Sequence, residues 1–259
     1  MLKFHLIGDW PPGRVACTHA SSSFSVPPDV RERIDRDWAE VMHRLDGHLF
    51  DGPMCRLERF ERKGDTLHLA LSRTSYKYHY GTNIREPGLA ERFGEQALAR
   101  PLGVSCALVT ADGLLLMGRR NENVAYYPSR IHPFAGAVEP AETIDIFDEV
   151  RRELEEELHL CGEDVLDLRC VGVVEDWLLR HPELIVLVRC RLTRSQLERQ
   201  VDEKEHHEGF AVEPTEAAVD AATRDARLTP VAVATVMLWG KAVLGDQWFT
   251  AARSRIESA

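Results

Sequence analysis

Gly136-Ala-Val-Glu-Pro-Ala-Glu142, followed by Thr143-Ile-Asp-Ile-Phe-Asp-Glu-Val-Arg-Arg-Glu-Leu-Glu-Glu-Glu-Leu-His-Leu160, is the most informative stretch of this chain. Its pattern predicts a helix over roughly residues 143–161. At about 100° per residue, Phe147, Val150, Leu154, Leu158 and Cys161 fall on one narrow arc, a buried stripe. With Glu153 at zero, Glu149, Glu156 and Glu157 lie at about 320°, 300° and 40°. These four carboxylates share the edge beside the stripe, while Glu155 points away. Like charges three and four residues apart sit about 5–6 Å from one another at Cβ and destabilise a helix. A divalent cation held between them reverses that penalty, and hard oxygen donors select Mg²⁺ or Mn²⁺ over zinc. The alternative is a solvated face, the usual fate of Glu/Arg-rich helices. Gly136 and Glu142, in a turn-rich approach to the helix, favour the metal-binding reading.

The segment resembles the box of the Nudix hydrolase family, G-x5-E-x7-R-E-U-x-E-E-x-G-U with U aliphatic. Gly136 and Glu142 match its opening, and Arg152-Glu153-Leu154-Glu155-Glu156-Glu157 its centre. Two departures stand out: nine residues instead of seven separate Glu142 from Arg152, and His159 occupies the position of the family's glycine. Two extra residues are easily placed in a loop before the helix, and Gly162 offers a slightly later C-cap. A second set of short motifs covers more of the chain, from about Leu49 to Glu213: Leu49-Phe50-Asp51, Arg56-Leu57, Thr74-Ser75-Tyr76, Gly81-Thr82-Asn83 and Pro101-Leu102-Gly103-Val104. In this order they are similar to the N-terminal extension and first core strand of the UDP-glucose-hydrolysing Nudix branch, whose box is also irregular. The resemblance implies an α/β protein: a Nudix-type α/β/α sandwich with a mixed sheet, plus an N-terminal α+β extension.

Around that segment the chain alternates strands and helices, the texture of a sheet covered on both faces. Leu2–Ile7 reads as a strand; Val30, Ile34, Trp38, Val41 and Leu45 fall at helical spacing behind Pro28 and Asp29. A hairpin follows, Cys55–Arg62 and Leu67–Leu71 around a Lys63-Gly64-Asp65 turn. Thr74–Asn83, with three tyrosines alternating with polar residues, reads either as a further strand or as a loop platform for a base or sugar. Strands are expected at Val104–Thr110, Leu114–Met117, Val165–Glu175, Leu184–Leu192 and Phe210–Val212, with a polar helix near Ser195–Lys204 and a helical C-terminus from Thr215. Gly88 and Pro101 mark the boundary between an N-terminal extension, residues 1–100, packed on the core and contributing to substrate binding, and a hydrolase core, residues 101–259. Val231–Leu244 is either a core helix or part of a dimer seam, so monomer and homodimer both stay open.

The resemblance further implies Mg²⁺-dependent hydrolysis of the pyrophosphate of a nucleoside diphosphate conjugate, foremost UDP-glucose or a related UDP-sugar, to UMP and a sugar 1-phosphate. Glu153, Glu156 and Glu157 are the expected metal ligands, with Mg²⁺ or Mn²⁺ as the ion. Arg152 is expected to fix a box carboxylate, Glu142 or Glu149. Glu208, in the Glu203-Lys-Glu-His-His-Glu208 run, is a candidate base or extra ligand. Tyr76 and Asn83 are the candidate substrate contacts. Trp177 and Tyr126-Tyr127 read as base-stacking rings or as core aromatics. A hydrolase for ADP-ribose, NADH or dinucleoside polyphosphates is the rival enzyme reading, and a non-catalytic nucleotide-binding protein of the same fold the non-enzyme one.

Composition agrees with a soluble protein. The formal charge of −10 disfavours polymeric nucleic acid and anionic membranes as partners. From Glu139 to Asp164 there are 11 acidic residues against two arginines, so nearly all the excess surrounds the carboxylate helix. With a bound cation, that patch suits a small pyrophosphate. The six cysteines are scattered without metal-ligand spacing and read as reduced, mostly buried thiols. No stretch approaches the roughly 20 apolar residues of a membrane span, and no targeting segment is evident, so a cytoplasmic location is expected.

Overall fold

A computed structural model describes residues 2–44, 50–122, 124–199 and 206–257, the side chains of 206–208 and 257 excepted. Two strands, β1 (Leu2–Trp10) and β2 (Val15–His19), lead into helix α1 (Pro28–Arg44). The expected hairpin forms from β3 (Pro53–Lys63) and β4 (Thr66–Ser75), with Gly64 at φ +58° in its turn. Short helices α2 (Tyr76–Tyr78) and α3 (Leu89–Phe93) flank a π-helix at His79–Ile84. Then come β5 (Gly103–Val109), β6 (Leu115–Arg120), β7 (Ile131–His132), β8 (Phe134–Ala137) and the carboxylate helix α4 (Ile146–Leu158). The chain ends in β9 (Val165–Asp176), β10 (His181–Cys190), α5 (Arg194–Leu197), β11 (His206–Val212), α6 (Glu216–Thr223), α7 (Pro230–Leu244) and α8 (Asp246–Glu257).

The large sheet runs β1-β9-β10-β5-β6-β11, with β8 added to β5 and β7 to β6. It is mixed: β10 and β5 are parallel, the other pairs antiparallel. One face packs with α4 through Phe147, Val150, Leu154 and Leu158; the opposite face packs with α7 through Val236, Leu238 and Trp239. This is the expected α/β/α sandwich. Helix α7 is buried along most of its length against the sheet and α8, which settles Val231–Leu244 as core. Among the described residues, no helix is long and apolar enough to cross a membrane.

The smaller sheet, β2-β4-β3, shares the α4-side core: Leu57, Leu67, Leu69 and Leu71 are buried together with Leu102, Val104 and Phe134. Backbone bonds close the seam, Cys55 N–H to Val138 O (2.8 Å) and Leu102 N–H to Cys55 O (2.8 Å). β1, moreover, is hydrogen-bonded to β9 inside the large sheet. Gly88 and Pro101 thus lie at a seam within one packed body, with the first strand part of the core sheet.

Two local expectations change. Cys161, assigned to the buried stripe, is exposed, because α4 stops at Leu158 and His159 turns the chain at φ +53°. Leu160 takes the buried place. His159, not Gly162, is therefore the left-handed C-cap, donating its N–H to Glu155 O at 3.0 Å. Thr74–Asn83 is neither a strand nor a loop: β4 ends at Ser75 and the chain coils into α2 and the π-helix. Gly81 allows that coil to meet α1, since a Cβ there would lie 2.7 Å from Ile34 Cγ1.

Candidate active site

Helix α4 starts on Asp145, whose Oδ1 accepts the Phe147 N–H at 2.8 Å. Its apolar stripe fixes the rotation of the helix, and that rotation carries Glu153 and Glu157 onto the wall of a cleft of about 590 Å³. Both are buried, at 8% and 5% exposure, whereas Glu156 is exposed. The four-carboxylate edge is thus graded from cleft to solvent. Arg152 sits at its centre, donating to Glu149 (2.9 Å), Glu153 (2.7 Å) and Glu156 (3.1 Å), with Glu139 at 3.9 Å. Of the two expected partners, Glu149 pairs with Arg152; Glu142 is exposed, its backbone carbonyl accepting from His19 Nε2.

Burial pushes the Glu153 carboxyl up to about 7, against the opposing pull of Arg152 and with help from Glu157 and Glu156. A carboxylate this expensive to ionise gains most from a cation. Gly136, on β8, makes room for it: a Cβ there would lie 2.0 Å from Glu153 Cδ. Among the described residues no three His, Cys, Asp or Glu side chains converge as a metal-ligating group. Glu153 and Glu157 nevertheless suit Mg²⁺, which is commonly held by one or two carboxylates, with waters and substrate phosphates completing the shell. Glu156, bound to Arg152, lies outside that pair.

Across the cleft stands a second polar wall, of which the sequence singled out Tyr126 alone. His79 comes from the π-helix, His181 and Glu183 from β10, and Arg120 and Tyr126 from β6 and the segment after it. The rings pack together, with centroids 5.0 Å apart for His79 and His181 and 6.0 Å for His79 and Tyr126, while the Arg120 guanidinium lies 4.8 Å from the Tyr126 ring centre. Glu183 accepts from Ser105 Oγ and lies 3.7 Å from His181 Nδ1. Burial raises its carboxyl to about 7 and lowers His181 to about 4. Gly103 opens the backbone here as Gly136 does opposite, because a Cβ would meet Glu183 Cγ at 2.8 Å. The two glycines are diagonal neighbours in the β5–β8 ladder, where Gly103 faces Ala137 and Val104 faces Gly136.

The remaining expected site residues divide. Tyr76 lines the cleft. Asn83 does not: fully buried, it donates to Leu179 O (2.9 Å) and Arg180 O (3.1 Å) and accepts from Thr82 Oγ1 and the Arg100 N–H. Trp177 lies between Lys3 and Arg180, and Tyr127 donates its hydroxyl to Asp176 at 2.6 Å. The side chain of Glu208 lies outside the described residues. Of the second wall only Tyr126 carried a signal in the sequence, as a stacking ring or a core aromatic, and it packs edge-on against His79 and His181.

Residues 99–232 match the family model described as NUDIX domain. Uridine diphosphate glucose pyrophosphatase NUDT22 of Homo sapiens is 36% identical over 126 residues, 44% of this chain and 41% of that protein. The Mus musculus protein of the same name is 39% identical over 115 residues, 39% of this chain and 37% of that protein. The chain therefore spans about two fifths of the length of the curated relatives it matches. Among solved structures, a MutT protein from Methanosarcina mazei Go1 aligns with a TM-score of 0.43 at 17% identity, covering 55% of this chain and 94% of that one.

Proposed function

The chain belongs to the Nudix family, and from that premise we propose that it hydrolyses the pyrophosphate bond of a nucleoside diphosphate conjugate, with UDP-glucose or a related UDP-sugar as substrate. The observation that carries this reading is the buried pair Glu153 and Glu157 on the cleft-facing edge of α4. The two similar proteins named uridine diphosphate glucose pyrophosphatase support the choice of substrate.

Members of the family generally use a divalent metal. Glu153 and Glu157 would hold Mg²⁺ or Mn²⁺, with Glu156 joining on release from Arg152. When bound, the cation neutralises the pyrophosphate and makes water a competent nucleophile at neutral pH. Phosphoryl transfer needs little covalent chemistry from the protein, so the chain's own residues act by positioning. Arg152 holds Glu149, Glu153 and Glu156 in register. Arg120 supplies a cation to the cleft for phosphate oxygens, and Tyr76 a ring on its wall. Glu208 remains a candidate base.

The test is product analysis. Incubation of the purified chain and Mg²⁺ with UDP-glucose, ADP-ribose, NADH and a dinucleoside polyphosphate should give UMP and glucose 1-phosphate fastest. Cleavage of another conjugate in preference would reassign the substrate, and tight binding with no product would identify a binding protein.

A further inference from the structure

The cleft has two lobes of contrasting chemistry. A smaller one, about 270 Å³, is lined largely by Phe50, Pro53, Met54 and Tyr76, with Arg152 and Glu153 at its edge. Phe50 is 77% exposed, a large aromatic ring presented at the mouth. The larger lobe contains His79, His181 and Glu183. Glu153 lines both. A pyrophosphate held at this junction, beside Glu153, would direct one end into each lobe.

The larger lobe is built for a polar ligand. His79, His181 and Glu183 are 1%, 6% and 3% exposed. Nε2 of His181 has no hydrogen-bond partner among the described residues, and the ring nitrogens of His79 have none of good geometry, with the Asn83 amide their nearby polar group. The Asn83 amide beside His79 already spends its NH₂ on Leu179 O and Arg180 O and its carbonyl on Thr82 Oγ1 and the Arg100 N–H. Buried polar atoms normally have partners, and those lining a cleft point to a ligand. Each neutral imidazole presents one donor and one acceptor, and a carboxyl presents acceptors and, when protonated, a donor. Hydroxyl groups, which donate and accept at once, match that set. A nucleobase instead needs an open ring face; the rings of His79, His181 and Tyr126 are packed on one another, whereas Phe50, where the smaller lobe joins the larger, offers one.

We propose that His79, His181 and Glu183 form the subsite for the glycosyl group of a nucleoside diphosphate sugar, and that the nucleobase lies in the Phe50–Tyr76 lobe. The assignment rests on the UDP-sugar reading above and adds which wall distinguishes a sugar from any other substituent on the diphosphate.

The test compares UDP-glucose with the methyl ester of UDP, scoring UMP release by the full chain with Mg²⁺. In His181→Ala and the isosteric Glu183→Gln, the ratio of kcat/KM for UDP-glucose over the methyl ester should fall roughly tenfold. Phe50→Ala, at an exposed position, should weaken both substrates alike and keep the ratio. An unchanged ratio in both wall variants, or a change confined to Phe50→Ala, overturns the assignment. If the wild type cleaves neither compound, the UDP-sugar reading fails and the subsite is judged by calorimetry with UDP-glucose and UDP. Tighter binding of the sugar conjugate, lost in His181→Ala, supports the subsite; no gain from the glucosyl group overturns it.

Discussion

Glu153, Glu156 and Glu157 occupy neighbouring positions on one helix yet meet two environments, buried for Glu153 and Glu157 and exposed for Glu156, and their replacements should differ accordingly. Glu157→Gln and Glu153→Gln remove charge from the buried pair and should each lower kcat/KM on the order of 100-fold, with far-UV circular dichroism unchanged. Glu156→Gln, at an exposed carboxylate bound to Arg152, should cost clearly less; an equal loss in all three would mean that Glu156 swings fully into the metal shell. His159 gives a separate prediction about stability. Its backbone is left-handed at φ +53°, a conformation that costs an L-residue about 1–2 kcal/mol, partly offset by the greater entropy glycine carries when unfolded. His159→Gly should therefore raise stability by up to about 1 kcal/mol in urea denaturation, without altering turnover; destabilisation would show that the histidine side chain contributes contacts of its own.

At the scale of elements, the π-helix and the β9–β10 turn act as one unit. Asn83 grips Leu179 O and Arg180 O, and Arg180 is itself left-handed at φ +49° just before His181. Asn83 thus supports the residues that bring His79 and His181 together, which explains a polar residue buried away from the cleft. Asn83→Ala leaves two carbonyls and the Arg100 N–H without this partner and should cost about 2–4 kcal/mol, read from the thermal midpoint. A stability loss below 1 kcal/mol with a large rise in KM would instead favour a direct substrate contact.

The carboxylate helix was legible because its stripe and its charged edge follow one period of 3.6 residues, and the hairpin because alternation and a Lys63-Gly64-Asp65 turn agree. The segment Thr74–Asn83 was not, since its alternation imitates a strand while Gly81 and the packing of Ile34 decide for a coil. The polar wall was illegible as a unit for another reason: it comes from three well-separated stretches, His79, Arg120 with Tyr126, and His181 with Glu183, and only the β10–β5 register brings Glu183 opposite Gly103.

For the whole molecule, the buried acid of the polar wall makes stability depend on pH. Burial raises Glu183 to about 7 in the fold from an ordinary value of 4.5. Its contribution is present in full below pH 4.5 and is lost as pH rises through 7, about 3 kcal/mol in all. His181, lowered to about 4 from 6.5, acts in the opposite sense, contributing above pH 6.5 and losing it as pH falls toward 4. Comparing wild type with Glu183→Gln isolates the acid: the variant should melt several degrees higher at pH 8, and the advantage should shrink by pH 5. A constant difference across that range would place the Glu183 carboxyl in the ordinary range. The molecule's charge has a similar logic. Its acidic excess is concentrated around α4, where a bound cation would turn it toward an anionic substrate.

The most direct test of the central claim is Mg²⁺-dependent release of UMP and glucose 1-phosphate from UDP-glucose, followed by phosphorus NMR for the wild type and for Glu157→Gln in parallel. The buried carboxylate pair predicts both products from the wild type, none after chelation of the metal, and roughly 100-fold slower release from the variant. Equal rates from the two proteins, or release that persists in excess chelator, would contradict it.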